Sequence, residues 1–305
     1  MLKVPSLSLS ALCLRLVVVA FCVGLFACDD SEETGETISL NCAGEVDSGS
    51  TTISISGYVK DGKTGNTLPS SGTGTVNLYN STGSTLLDNS SVSSSSKYSF
   101  SNLTPSTYIL KAVITNYTSV ADTKCLTSSS TSKDLIALTT SQATNANVIV
   151  LTWGDSSSGA PRDLDSHLQA DSATSASPDH LYYPTNNKGS SSAWAMLALD
   201  DTSYSGPETI TVNLDSTSGP MRNSVTKACY YVRIYPASGE TSSDWVWSKT
   251  SAQVQLFQSD GTLLTNFDGP TDTSTSKTYW HVFDLDSNLN ITTQNTVSSS
   301  PPSCS

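Results

Sequence analysis

Asp163-Leu164-Asp165-Ser166-His167 is the stretch on whose reading the fold turns. It follows an apolar run, Val148 to Trp153, and a short polar loop ending at Pro161. Read as a strand, its two-residue period sets Asp163, Asp165 and His167 on one face and Leu164, Ser166 and Leu168 on the other. Three potential ligands then line up above a sheet. Two carboxylates and an imidazole at alternate positions need compensation by a cation, a hydrogen-bond network or full solvation.

The segments around this strand extend the cluster. All three histidines, His167, His180 and His281, fall within ordered motifs of the second half. Asp163, Asp165, His167, His180, Asp200, Asp201 and Glu208 make one oxygen-rich set if the strand, the His180 loop and the Asp200 turn meet at one end of a sandwich. Such a set suits Ca²⁺, which takes six to eight oxygens at about 2.3–2.6 Å and tolerates irregular geometry. The histidines pull toward zinc or manganese. Without a metal, the same residues form a buried hydrogen-bond network.

As a metal-dependent hydrolase the chain would use Asp163 or Asp165 as ligand or base and His167 as acid or base. It carries no nucleophile elbow, His-Glu-x-x-His helix or phosphate-cradling glycine loop to go with that chemistry. Cys229 to Tyr235 alternates, with Tyr231, Arg233 and Tyr235 on one face and Tyr230, Val232 and Ile234 on a core face. If Asp244-Trp245-Val246-Trp247 is extended, Trp245 and Trp247 point the same way and form a platform for a sugar or peptide; otherwise the rings pack on the sandwich. Ala252, Val254 and Leu256 alternate into a hairpin turn at Ser259-Asp260-Gly261-Thr262, predicting a meander that closes on Trp280 to Phe283.

Taken in order, Val148 to Gly154, Pro161 to Leu168, His180 to Tyr183, Leu199 to Asp201, Gly206 to Thr211, Tyr230 to Val232, Ala252 to Val254 and Trp280 to Asp284 resemble the YfaP-like family of uncharacterised exported bacterial proteins, over about residues 146–295. That resemblance implies a domain and no defined activity. The Ser/Ala-rich stretches Ser157 to Ala160 and Gln169 to Asp179 depart from the pattern, as does the loop Ser216 to Lys227.

Upstream, residues 51–142 show short alternating runs divided by turn residues about every 8 to 12 positions, the pattern of a sandwich. Gly57-Tyr58-Val59-Lys60-Asp61, then Tyr98-Ser99-Phe100 through Leu103, Pro105 and Tyr108, resemble the carboxypeptidase regulatory-like, prealbumin-type sandwich. The resemblance implies a spacer or folding aid, not a peptidase.

At the start, Lys3 and Arg15 precede the apolar run Leu16 to Ala27, too short for a membrane span of about 20 residues and suited to a signal-peptide core. Leu25-Phe26-Ala27-Cys28 resembles the bacterial lipobox, which implies cleavage after residue 27 and acylation of Cys28. The expected protein is then held to a bacterial envelope membrane by lipid, facing the periplasm or the exterior. Residues 28–50 are acidic and polar and read as a disordered tether; residues 296–305 read as a polar tail.

A net charge of −12 excludes a nucleic-acid partner, which needs a cationic surface. With the leader and Cys28 set aside, Cys42, Cys125, Cys229 and Cys304 remain. They allow two disulfides in three connectivities, and pairing within each half joins Cys42 to Cys125 and Cys229 to Cys304. The sequence therefore predicts an all-β protein, two β-sandwich domains in tandem after a lipoprotein leader. Its expected role is a non-enzymatic binding or adhesion module for a protein, peptide or glycan, with Ca²⁺ as the candidate cofactor. The alternatives are the hydrolase and a structural spacer.

Overall fold

The computed structural model describes residues 52–118, 121–126, 129, 133–139, 146–171, 179–183, 193–213, 219 and 224–304. The expected leader, Cys28, the expected tether and Cys42 lie outside them, as does the side chain of Cys125. The described part is all-β, and its residues belong to one compact unit. Among them no helix is long and apolar enough to cross a membrane.

The first half contributes β1 (Ile53–Gly57), β2 (Val59–Asp61), β3 (Thr67–Leu68), β4 (Gly74–Tyr79), β5 (Leu86–Val92), β6 (Tyr98–Leu103), β7 (Ser106–Val113), β8 (Ala121–Leu126) and β9 (Leu135–Ala137). They form sheets ordered β5-β4-β7-β8, β3-β2-β9 and β1-β6. The two-residue period is explicit here: in β4, Val76 and Leu78 are buried while Thr75, Asn77 and Tyr79 lean outward. Inward residues of the three sheets, among them Val59, Val76, Tyr98, Phe100 and Leu110, share one apolar core.

The second half contributes β10 (Ala146–Thr152), β11 (Leu164–Ala170), β12 (His180–Leu181), β13 (Ala195–Leu199), β14 (Glu208–Asn213), β15 (Lys227–Ile234), β16 (Gln253–Phe257), β17 (Leu263–Asp268), β18 (Tyr279–Asp286) and β19 (Ile291–Ser298). Two five-stranded sheets, β13-β14-β10-β16-β17 and β12-β11-β15-β18-β19, close on a common core containing Ile149, Leu151, Leu164, Leu168, Tyr230, Val232 and Trp280. Packing two inner faces in this way makes a sandwich.

β10 reads as a continuous apolar run because both of its faces are covered. Ile149 and Leu151 enter the sandwich core, while Val148 and Val150 meet Ile136, Leu138 and Phe257 in a second, smaller cluster. That cluster ties the first half to the second.

Two expectations need correction. The hairpin β16–β17 does form, with Gly261 at φ +84° in its turn, but the chain then crosses to the other sheet. Trp280 to Phe283 lie in β18 between β15 and β19, so the segment is a sheet-to-sheet crossover rather than a closing meander. The expected polar tail is also shorter at its start, since β19 continues to Ser298 along the sheet edge. Beyond it Cys304 is joined to Cys229 by a disulfide with Cα atoms 5.6 Å apart.

Candidate functional site

β11 places its residues by parity. Leu164 and Leu168 point into the core, and the Ser166 hydroxyl meets the Tyr230 hydroxyl there at 2.9 Å. Asp165 and His167 take the opposite face, with Asp163 just ahead of the strand, and oppose Arg233 and Tyr231 of β15. All three of Asp163, Asp165 and His167 are buried, which removes full solvation as the way their charge is managed.

The third carboxylate arrives from the other sheet. Glu208 opens β14 opposite Leu151 and shares parity with the core residues Ile210 and Val212, so it is a carboxylate on an apolar face, only 1% exposed. β12 pairs with β11 only at Leu168 and Gln169, which leaves the edge open at Ser166. Glu208 Oε2 fills that gap by accepting the Ser166 backbone N–H at 2.6 Å. One oxygen each from Asp163, Asp165 and Glu208 then lie within 4.8 Å of one another.

Hydrogen bonding does not satisfy this cluster. Asp163 Oδ1 and Glu208 Oε1 are buried and have no hydrogen-bond partner among the described residues. Burial, then the Asp165 and Asp200 charges, push the Asp163 carboxyl up to about 7. Asp165 is pushed up to about 6 by burial, with Arg233 opposing. Burial and Asp165 raise Glu208 well above the usual carboxylate range despite the Ser166 N–H. Three such groups ionised together at buried positions need a positive charge or protons.

The histidines are gathered elsewhere. His167 Nδ1 lies 3.1 Å from His180 Nε2, and the Tyr231 hydroxyl is 3.0 Å from the same nitrogen. The His167 ring stacks on Tyr231 at 4.6 Å and on Tyr182 at 5.1 Å between centroids. Burial, then His180 and Arg233, push His167 down to about 3, so it stays neutral. Neither His167 nor His180 joins the carboxylate group, which corrects the single mixed cluster expected from sequence. His281 instead meets Asp284 at 2.7 Å, and Cys229 beside them is committed to its disulfide. Asp201 accepts the Ser203 N–H and hydroxyl within its own turn.

The acidic group opens on a cleft of about 410 Å³ lined by Asp163, Asp165, Asp200, Tyr183, Arg233 and Tyr235, with no aliphatic side chain on its described walls. Tyr183 and Tyr235 are 56% and 44% exposed, and they are the aromatic residues among the exposed large apolar side chains described. The Arg233 guanidinium lies over the Tyr235 and Tyr279 rings at 5.5 and 5.7 Å. Sequence reasoning placed Arg233 and Tyr235 on one face without assigning them a site. Their parity opposite the acidic strand was the signal.

Of the two arrangements open to Trp245 and Trp247, the structure shows the rings packed on the sandwich and not the platform. Trp247 opens a helical turn, Trp247–Thr250, is 1% exposed, and donates its indole N–H to the Lys277 carbonyl at 2.7 Å. Trp245 packs partly buried on the core and reaches Glu240 at 3.2 Å.

The first half steadies the strand that delivers Glu208. Lys60 Nζ donates to the Gly206 carbonyl at 2.9 Å and pairs with Asp134 at 3.0 Å, while the Thr209 hydroxyl donates to the Gly62 carbonyl. Tyr204, Ser205 and Gly206 all have positive φ just before Glu208. At Gly206 a Cβ would meet the Trp153 ring at 2.8 Å, so only glycine fits.

No family model and no curated protein sequence matches the chain, so the two family resemblances rest on the motifs quoted above. Among solved structures, the chain is similar to a protein of unknown function, with 17% identity and a TM-score of 0.35 over 52% of this chain and 92% of that one. It is also similar to a homologue of the telluride resistance protein TerD from Streptomyces coelicolor, with 11% identity and a TM-score of 0.32 over 53% and 93%. A DUF3823 family protein from Bacteroides ovatus aligns with 11% identity and a TM-score of 0.23 over 72% and 97%.

Proposed function

We propose that this protein is a non-enzymatic binding module of the bacterial envelope, anchored by lipid at Cys28, whose cleft works around a Ca²⁺ ion held by Asp163, Asp165 and Glu208. The observation that carries the reading is the convergence of three buried carboxylates, two of which present oxygens with no hydrogen-bond partner among the described residues. Two ligands of one Ca²⁺ ion can stand up to about 4.6–5.2 Å apart, so a spread within 4.8 Å fits a single ion. The donor set is all oxygen, as a hard cation prefers, and neither His167 nor His180 places a ring nitrogen in it.

His167 is 4% exposed and does not line the cleft, which leaves the hydrolase reading without His167 as its acid or base. The lipobox-like Leu25 to Cys28 supports export and anchoring. The test is equilibrium dialysis against Ca²⁺, using the purified chain downstream of the leader, with thermal melts in Ca²⁺ and in chelator. One bound ion per chain and a higher melting temperature with Ca²⁺ are expected, both lost in Glu208→Gln and in Asp163→Asn with Asp165→Asn. No bound ion and no shift with chelator overturns the reading.

A further inference from the structure

The cleft beside the carboxylates has a composition of its own. Its lining combines the carboxylates of Asp163, Asp165 and Asp200 with the Arg233 guanidinium and the exposed rings of Tyr183 and Tyr235. Exposed aromatic rings at a concave site offer a flat apolar face to a ligand that has one. No aliphatic side chain stands beside these rings in the described lining.

A Ca²⁺ ion takes six to eight oxygens, and three carboxylates supply between three and six. Glu208 reaches the group from the sandwich interior, whereas Asp163 and Asp165 also line the cleft. The open coordination positions therefore face the cleft. Charge decides what fills them. Asp163, Asp165, Glu208 and Asp200 carry four negative charges against two from the ion and one from Arg233, so one negative charge is left over in a chain of net charge −12. An anionic ligand gains nothing from that field.

We infer that the cleft binds a neutral glycan: a vicinal pair of hydroxyls completes the coordination of the ion while the apolar face of the sugar ring rests on Tyr183 or Tyr235. Arg233 donates to further hydroxyls. This rests on the cation reading above, and it adds the ligand class that the reading leaves open.

Affinity electrophoresis of the chain downstream of the leader tests it, in gels containing mannan, galactomannan, laminarin or polygalacturonate, with Ca²⁺ or with EGTA. Ca²⁺ binding is measured by dialysis on the same preparations. At least one neutral polysaccharide should retard the protein in Ca²⁺ and release it in EGTA. Tyr183→Ala and Tyr235→Ala, both at exposed positions, should together weaken retardation by about tenfold or more while the ion is still bound.

Ca²⁺ binding without retardation in any neutral gel overturns the glycan inference and leaves the cation reading standing. Retardation that survives EGTA, or that occurs only with polygalacturonate, also overturns it. Absence of Ca²⁺ binding removes both.

Discussion

The two halves of the molecule use the same strand geometry and leave their outer faces in different states. In the first half burial alternates along β1, β4, β6 and β7, and the outward residues, such as Ser54, Ser99 and Val113, meet solvent. In the second half β10, β11, β15 and β16 are buried on both faces. A sheet face that is buried must be covered by something, and the cover differs by strand. On β10 it is the apolar cluster shared with Ile136 and Leu138; on β11 and β15 it is the layer of carboxylates, imidazoles and tyrosines. A buried polar face is the costly choice, so that is where a ligand is to be sought.

The contrast can be strained experimentally, beginning with the core. Trp247→Ala empties a buried indole site and should cost about 3–5 kcal/mol in chemical denaturation. Trp245→Ala, at a partly buried ring, should cost less, and the two together measure how far the helical turn belongs to the core.

Next comes the chain end. The Cys229–Cys304 bridge closes a loop with a sequence separation of 75, so Cys304→Ser should lower stability by about 2–4 kcal/mol without altering Ca²⁺ affinity. A loss of Ca²⁺ binding there would show that the outer layer of β15 depends on the tail.

The buried polar face gives a pair of opposed effects. Glu208→Gln should weaken Ca²⁺ binding about 100-fold, close to 2.7 kcal/mol, yet raise the melting temperature in chelator because an unpaired buried carboxylate is gone. The pH response follows from the same cause. Asp163 and Asp165 are shifted upward to about 7 and about 6, so the folded chain without cation binds protons that the unfolded chain has already released. Its stability is therefore highest toward pH 4 and falls as pH rises through 6 to 7. Facing these groups are Glu208, Asp200, Asp201, Arg162 and Arg233. Melts in chelator should drop by several degrees between about pH 5 and pH 8, Ca²⁺ should remove the drop, and Ca²⁺ affinity should decline below about pH 6. A flat profile in chelator would mean that the carboxylates are solvated.

The smallest expected effects test whether the first half matters to the second. Lys60→Ala removes the donor to Gly206 and should weaken Ca²⁺ binding up to about tenfold through the placement of Glu208, with Lys60→Arg recovering part of it. Ser99→Val, on the exposed face of β6, should change stability by about 0.5 kcal/mol or less.

Much of the secondary structure could be read because the period of two is local. The face assignments in β4, in β11 and in Tyr230 to Ile234 needed only neighbours along the chain. Glu208 was legible as an acidic residue near the cluster, but not as a carboxylate on a core face, because the sheet opposite it comes from residues more than forty positions away in sequence. The histidines misled because their residue type suits a metal, whereas their positions give them aromatic neighbours. The tryptophans stayed undecided because the local pattern does not say whether Asp244 to Trp247 is extended, and it is not.

By itself the chain determines an all-β protein, since alternation, turn residues and short runs commit each segment to a strand through its own backbone and side-chain geometry. It also determines the acidic character of β11 and the parity of Arg233 and Tyr235. Tertiary structure alone decided which carboxylates meet, which imidazoles are drawn away, and that Tyr183 and Tyr235 flank the same cleft. Those outcomes depend on how two sheets pack and where a strand edge is left open. Both are set by the summed burial of residues distant in sequence, and no local pattern encodes them.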